Sequence, residues 1–119
     1  MGALRRWLDR LGESDEARLA AEIREWAGGV GGCTPIGEAP NRERVRIAGV
    51  IRRLTVFPMR DQEALEALVF DGTGEVTIRF MGRREIGGLG LGTRVVVEGV
   101  IGENHGDRRM INPLLEFSA

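Results

Sequence analysis

The chain has 119 residues, of which 42% are hydrophobic and 29% charged, and its formal net charge is -1. This composition is typical of a globular domain with an appendage, and it excludes a disordered chain and a general polyanion binder. All 17 basic residues are arginine, which excludes lysine-dependent chemistry, and the single cysteine and single histidine exclude an intrachain disulfide and a Cys/His zinc site.

Residues 1–28 form a predicted helical extension, because apolar residues recur at helical spacing within 4–11 and again within 19–26. Gly12 lies between the two stretches, and Ser14 with the acids that follow it resembles an N-cap, so we predict two short helices separated by a break. The extension is expected to pack on the rest of the chain or on a partner protein. No apolar run is long enough to span a membrane, and we expect a cytoplasmic protein without membrane contact.

Residues 29–43 are rich in glycine and proline, which predicts a linker or a wrapping loop. Cys33 lies in this segment, and nothing basic stands close to it in the sequence to lower the pKa of its thiol. We therefore interpret Cys33 as an incidental residue, and we expect no cofactor and no metal.

Residues 44–119 carry the alternating pattern of a half-buried sheet. Gly49 and Gly99 fall inside strand patterns, where glycine commonly marks a bend, and the turn at 71–74 joins a predicted hairpin. Five strands are predicted, at about 44–56, 64–70, 75–81, 93–101 and 108–112. Residues 102–107 are predicted to form a turn, and the tail at 114–117 to pack across the end of a barrel. The side chains predicted to face the core are Val45, Ile47, Gly49, Ile51, Leu65, Ala67, Val69, Val76, Ile78, Phe80, Val95, Val97 and Ile101.

Five strands with a glycine-rich connection between the third and fourth match the order of an OB fold. The residues that carry a closer family pattern are Gly49-Val50, Pro58-Met59-Arg60, Asp71-Gly72-Thr73-Gly74, Arg79-Phe80, Gly92, Gly99, Met110 and Asn112-Pro113. With them, residues 44–114 resemble the OB domain of the tRNA-anticodon-binding type, and within it the wedge domain of RecG-type helicases. The predicted fold class is mainly β, a five-stranded OB-fold barrel with an N-terminal α-helical extension, as in small standalone bacterial proteins of this type.

The resemblance implies that single-stranded nucleic acid binds on the face of the second and third strands, between two flanking loops, through aromatic stacking and a cationic track. Phe70 is the first candidate on this face, and Arg109 belongs to the second flanking loop. The candidate nucleic-acid-binding residues are Arg46, Arg52, Arg53, Phe57, Arg60, Phe70, Arg79, Arg83, Arg84 and Arg108.

Each group of candidates also has a structural interpretation. Phe70 would instead pack under the N-terminal helices, against Trp7 or Trp26, and Phe57 would plug the end of the barrel. The arginines would form a solvated surface, balanced by Glu66, Glu75, Glu85 and Glu98.

Two functions follow from these interpretations. The first is a nucleic-acid-binding protein that takes single-stranded DNA or RNA, or junctions, with low sequence specificity, as an accessory to DNA repair or recombination. The alternative is a protein-interaction adaptor that uses the barrel and the N-terminal helices without nucleic acid. The carboxylates are scattered and no Ser/His/Asp set is spaced for a triad, so we do not expect an enzyme.

Overall fold

The computed structural model describes residues 2–118, with only the backbone of Arg5 and of residues 7–13. One continuous helix, α1, spans Gly2–Gly28. The predicted break at Gly12 and the N-cap at Ser14 are therefore wrong, because an interior glycine costs a helix only about 1 kcal/mol relative to alanine and the flanking residues are good helix formers. Within residues 2–118, no helix is both long and apolar enough to cross a membrane.

A single seven-stranded sheet follows, in the order β5-β6-β3-β2-β1-β4-β7, and only the β3–β6 pair is parallel. The strands are β1 (Arg44–Pro58), β2 (Glu63–Phe70), β3 (Glu75–Met81), β4 (Arg94–Val100), β5 (Gly102–Asn104), β6 (Asp107–Ile111) and β7 (Leu114–Phe117).

The prediction of five strands closed into a barrel is corrected in two places. The predicted turn at 102–107 contains β5, which pairs with β6, and the tail at 114–117 is β7, which pairs with β4. Among the described residues β4 and β6 do not pair with each other. Closing the barrel would require this pairing, but β7 lies beside β4 and β5 lies beside β6. The sheet therefore curls around its core without closing.

The core lies on the concave side of this sheet. All the side chains predicted to face inward are buried, which confirms the alternation in β1 to β4. Ile36, in a short 3₁₀ turn at Ile36–Glu38, and Met110 of β6 join them, and both are fully buried. The segment 29–43 thus wraps along the sheet and contributes to the core.

Two features of β1 set the direction of its side chains. A Cβ on Gly49 would lie 2.6 Å from Val69 Cγ1 and 2.8 Å from the Phe70 carbonyl oxygen, so only glycine allows this close approach to β2. A β-bulge at Arg52 then shifts the register from Ile51 opposite Val69 to Arg53 opposite Leu68. Beyond the bulge, Arg53 and every second residue face outward.

The turn at 71–74 joins three parts of the chain. The buried carboxylate of Asp71 accepts hydrogen bonds from the backbone N–H groups of Ile36 (2.8 Å), Thr73 (2.8 Å) and Gly74 (3.1 Å) and from the Thr73 hydroxyl. Gly72 has φ +88° and lies against α1, where a Cβ would be 2.7 Å from the carbonyl oxygen of Ala20. The hairpin turn therefore holds both α1 and the segment 29–43 on the sheet.

Candidate nucleic-acid interface

The outer surface of the sheet divides into two faces. The open face carries outward side chains of β6, β3, β2 and the part of β1 after the bulge, and the helix-covered face carries those of β4, β7 and the part of β1 before it. The open-face residues are Arg53, Thr55, Phe57, Glu66, Leu68, Phe70, Thr77, Arg79 and Arg109. The residues of the helix-covered face are Arg44, Arg46, Ala48, Arg94, Val96, Glu98 and Glu116, and α1 packs on it at Ala48, Val96 and Arg94.

Phe57 and Arg79 form an aromatic and cationic pair on the open face. The Phe57 side chain is 43% exposed, and the Arg79 guanidinium lies over one side of its ring, 5.2 Å from the centroid. Arg79 Nε is buried and has no hydrogen-bond partner among the described residues. A base could stack beside this pair, since both an aromatic ring and a guanidinium plane accept stacked bases.

Glu66 lies at the centre of the open face, with its side chain 14% exposed. Its Oε1 is 3.0 Å from Arg79 Nη2 and 3.2 Å from Arg109 Nη1, and Arg109 Nε also donates to Asp107 at 2.7 Å. These two arginines are therefore largely neutralised by neighbouring carboxylates. Arg53 is exposed, and no ion pair to it is found within residues 2–118.

Phe70 and Arg52 form a second pair at the edge of the open face. The bulge directs Arg52 over the Phe70 ring, with its Cζ 4.5 Å from the centroid. Phe70 is half-buried, whereas Trp26 packs elsewhere, with Ala48 and Val96. The Trp7 side chain, the other predicted neighbour of Phe70, lies outside the described residues.

Arg46 lies on the helix-covered face, away from strands β2 and β3. Its guanidinium donates two hydrogen bonds to Glu116, at 3.3 and 3.0 Å, which lowers the pKa of that carboxyl. Cys33 is nearby, and burial raises the pKa of its thiol despite the opposing effect of Arg46. The thiol therefore stays protonated at neutral pH, and Arg46 is committed to an ion pair.

Arg108 holds the wrapping segment rather than facing the open surface. It donates to the carbonyl oxygens of Ile36 (2.7 Å) and Ala39, and to the Asn41 side chain. Its neighbour Arg109 takes the place on the open face that Arg108 was expected to occupy. The signal for this was in the sequence, because Met110 is the apolar residue of β6 and alternation places Arg109 on the opposite side.

The remaining candidates lie at the end of the open face where the turns before β2 and after β3 meet. The backbone joins these turns by a hydrogen bond from the Gly82 N–H to the Glu63 carbonyl oxygen at 2.7 Å. Arg84 pairs with the Glu63 carboxylate at 2.9 Å, while Arg60 and Arg83 are exposed. The structure thus brings Phe57 and Arg79 together and places Arg53 further along β1 on the same face. It places Arg52 and Phe70 at one edge and Arg60, Arg83 and Arg84 at one end, and it separates Arg46 and Arg108 from them.

Comparison with known proteins gives the fold. No protein-family model matches the chain, and no curated protein matches it. Among solved structures it is similar to a chain of a replication protein A heterotrimer bound to single-stranded DNA, with 15% sequence identity and a TM-score of 0.51. Replication protein A is built from OB folds. The fold of this chain is of the OB type. The similarity covers 71% of this chain but only 63% of the replication protein A chain, and at this identity it concerns the OB fold alone.

Proposed function

We propose that the chain binds single-stranded nucleic acid on its open face, without catalysis and with low overall sequence specificity. The observation that carries this proposal is the exposed Phe57 ring with Arg79 stacked on it, on an OB-fold surface that the described contacts of α1 leave uncovered. The same outer surface carries exposed Arg53 further along β1, and exposed Arg52 over the Phe70 ring. This combination of stacking groups and cations is the one that binds single strands.

The same proposal includes the finer family assignment. The turn at 71–74 and the residues around Gly49 resemble those of the tRNA-anticodon-binding type and of the RecG wedge domain. We propose that the chain is of this type and serves as an accessory to DNA repair or recombination. The replication protein A complex is bound to single-stranded DNA, which supports the choice of ligand.

Fluorescence anisotropy with a labelled single strand of about 12 nucleotides tests the proposal, because one OB fold covers roughly 4–16 nucleotides. DNA and RNA strands of one sequence are compared over a range of salt. We expect the logarithm of the binding constant to fall linearly with the logarithm of salt, with a slope of about -0.7 per phosphate contacted.

Two arginine variants locate the site. Arg53→Ala removes an exposed cation from the open face and should weaken binding while reducing the salt slope by about 0.7. Arg94→Ala removes the same charge from the helix-covered face, where the Arg94 guanidinium lies 4.9 Å from the centroid of the Trp26 ring, and should leave both quantities unchanged. Equal effects of the two variants would contradict the location of the site.

The adaptor function is a second candidate, favoured by apolar side chains on α1 that no neighbour covers. Leu4 is 63% exposed and Leu19 is 54% exposed, although helices that only pack on their own domain usually bury such residues. A chain that binds none of the single strands in the anisotropy experiment would favour this function over nucleic-acid binding.

A further inference from the structure

A groove of about 180 Å³ lies at the centre of the open face, where β1, β2, β3 and β6 run side by side. Leu68 forms part of its lining together with the Thr55 and Thr77 side chains. Charged groups complete it, with Arg53 and Arg109 as donors and Glu66 and Asp107 as acceptors. A protein cavity of about 150 Å³ can bind benzene, so this groove is large enough for a planar heterocycle of one ring.

Glu66 decides which part of a nucleic acid can enter this groove. Its side chain is 14% exposed and its Oε1 is approached by Arg79 and Arg109, so the position of the carboxylate is fixed. Oε2 accepts none of the hydrogen bonds found within residues 2–118 and remains the acceptor for a ligand. An ionised phosphodiester oxygen accepts hydrogen bonds and cannot donate one to Oε2, so phosphates belong beside the exposed Arg53 and a base belongs in the groove.

The donor and acceptor pattern of the groove selects among bases. A carboxylate accepts hydrogen bonds and cannot donate them, and among nucleic-acid contacts it pairs with the exocyclic amino group of cytosine. The Thr55 and Thr77 hydroxyls can donate to the carbonyl oxygen and ring nitrogen of the same base. Uracil and thymine carry a carbonyl oxygen in place of the amino group, which would face the carboxylate and leave it without a donor.

We propose that Glu66 gives the open face a preference for a base with an exocyclic amino group, with cytosine favoured over uracil and thymine. This inference rests on the proposed function, and it adds one selective position to a surface that otherwise accepts any sequence. The two threonine hydroxyls adapt to either base, because each both donates and accepts, so the selection comes from Glu66.

The test compares oligo-dC with oligo-dU of equal length at a mildly alkaline pH, where the cytosine ring is not protonated. The two strands have the same charge and the same ring size, and neither carries the thymine methyl group. We expect oligo-dC to bind about fivefold more tightly or better, the lower end of the discrimination given by a good base contact. Replacing the cytosines with N4,N4-dimethylcytosine removes the amino donors and should abolish the preference of the unaltered protein.

Two variants test whether the preference for cytosine comes from Glu66. Glu66→Gln keeps the size of the side chain but adds a donor, so oligo-dU should bind more tightly and the ratio should approach one. Glu75→Gln removes the same charge from an exposed position at the start of β3 and should preserve the ratio. Thermal denaturation of both variants establishes that they are folded.

The outcomes distinguish a failure of the base preference from a failure of single-strand binding itself. Saturable binding of both strands with equal affinity, or a ratio that Glu66→Gln leaves unchanged, would overturn the base preference and leave single-strand binding intact. Failure of every strand to bind would overturn the proposed function and the preference with it.

Discussion

On the helix-covered face, arginines are matched one to one with partners. Arg46 pairs with Glu116, Arg44 with Glu98, and Arg94 lies over the Trp26 ring at 4.9 Å. On the open face, Arg79 and Arg109 share Glu66, but Arg53 has no ion pair among the described side chains and Arg79 Nε has no acceptor there. The two faces have similar residue types, so the number of arginines does not distinguish a binding surface from a structural one. The distinction lies in what each arginine contacts and in whether an aromatic ring is left exposed beside it.

The largest expected effect is at the turn at 71–74, which holds α1 and the wrapping segment on the sheet. Asp71→Ala removes the acceptor of three backbone N–H groups, one of them on Ile36 in the wrapping segment. We expect the free energy of unfolding to fall by about 3 kcal/mol, measured by urea denaturation. Asp61→Ala, in an exposed loop, serves as the control and should have little effect. A loss at Asp71 no larger than at Asp61 would show that the turn does not hold the wrapping segment.

Trp26→Ala tests whether the helix-covered face contributes stability and not binding. The half-buried indole packs with Ala48 and Val96 and carries Arg94 on its ring. We expect the free energy of unfolding to fall by about 2 kcal/mol, less than for a fully buried tryptophan. Single-strand affinity, measured by anisotropy at a temperature where the variant is folded, should not change. Weaker binding would mean that the two faces are coupled.

Phe57→Ala is the converse experiment on the open face. Loss of the exposed ring should weaken binding by about 1–2 kcal/mol if a base stacks on it, and thermal stability should change little. Phe117→Ala is the matched control, because Phe117 is 51% exposed but lies on β7. Unchanged affinity with lowered stability would identify Phe57 as a packing residue, as the barrel-end interpretation requires.

The core side of the long strands could be predicted from the sequence. The short strands and the bulge in β1 could not. Alternation identified the core side of β1 to β4 because each of these strands has enough residues for a period of two to be visible. β5 and β7 span three and four residues, which is too few for that pattern. The bulge at Arg52 reverses the alternation within one strand, and no glycine or proline marks it. The orientation of Arg53 therefore needed the structure.

The candidate site illustrates the same limit. Sequence reasoning identified arginine and phenylalanine as the binding residue types, but it did not show which arginines were already paired. Arg46 and Glu116 are 70 residues apart and Arg108 and Ala39 are 69 apart. Contacts at such separation follow from the three-dimensional arrangement of strands, and a single sequence carries no pattern for them.

The smallest expected effect concerns the Arg46–Glu116 pair. The hydrogen bonds and charge of Arg46 lower the pKa of Glu116, so this carboxylate contributes stability above its ordinary pKa and loses that contribution as the pH falls through the lowered value. An NMR titration of the Glu116 carboxyl measures this directly. Arg46→Ala should return the pKa of Glu116 toward its ordinary value, and Arg44→Ala should not. A normal pKa in the unaltered protein would show that the pair does not persist in solution.

The position of Gly72 has a consequence for how this chain can vary. Hairpin turns at the surface usually tolerate insertions, because they contact little else. Here a single added Cβ would lie 2.6 Å from Arg24 Cβ, so even a one-carbon enlargement would push the helix from the sheet. Engineers who wish to lengthen or label this protein should therefore avoid residues 71–74 and use the exposed turn at 105–106 between β5 and β6 instead.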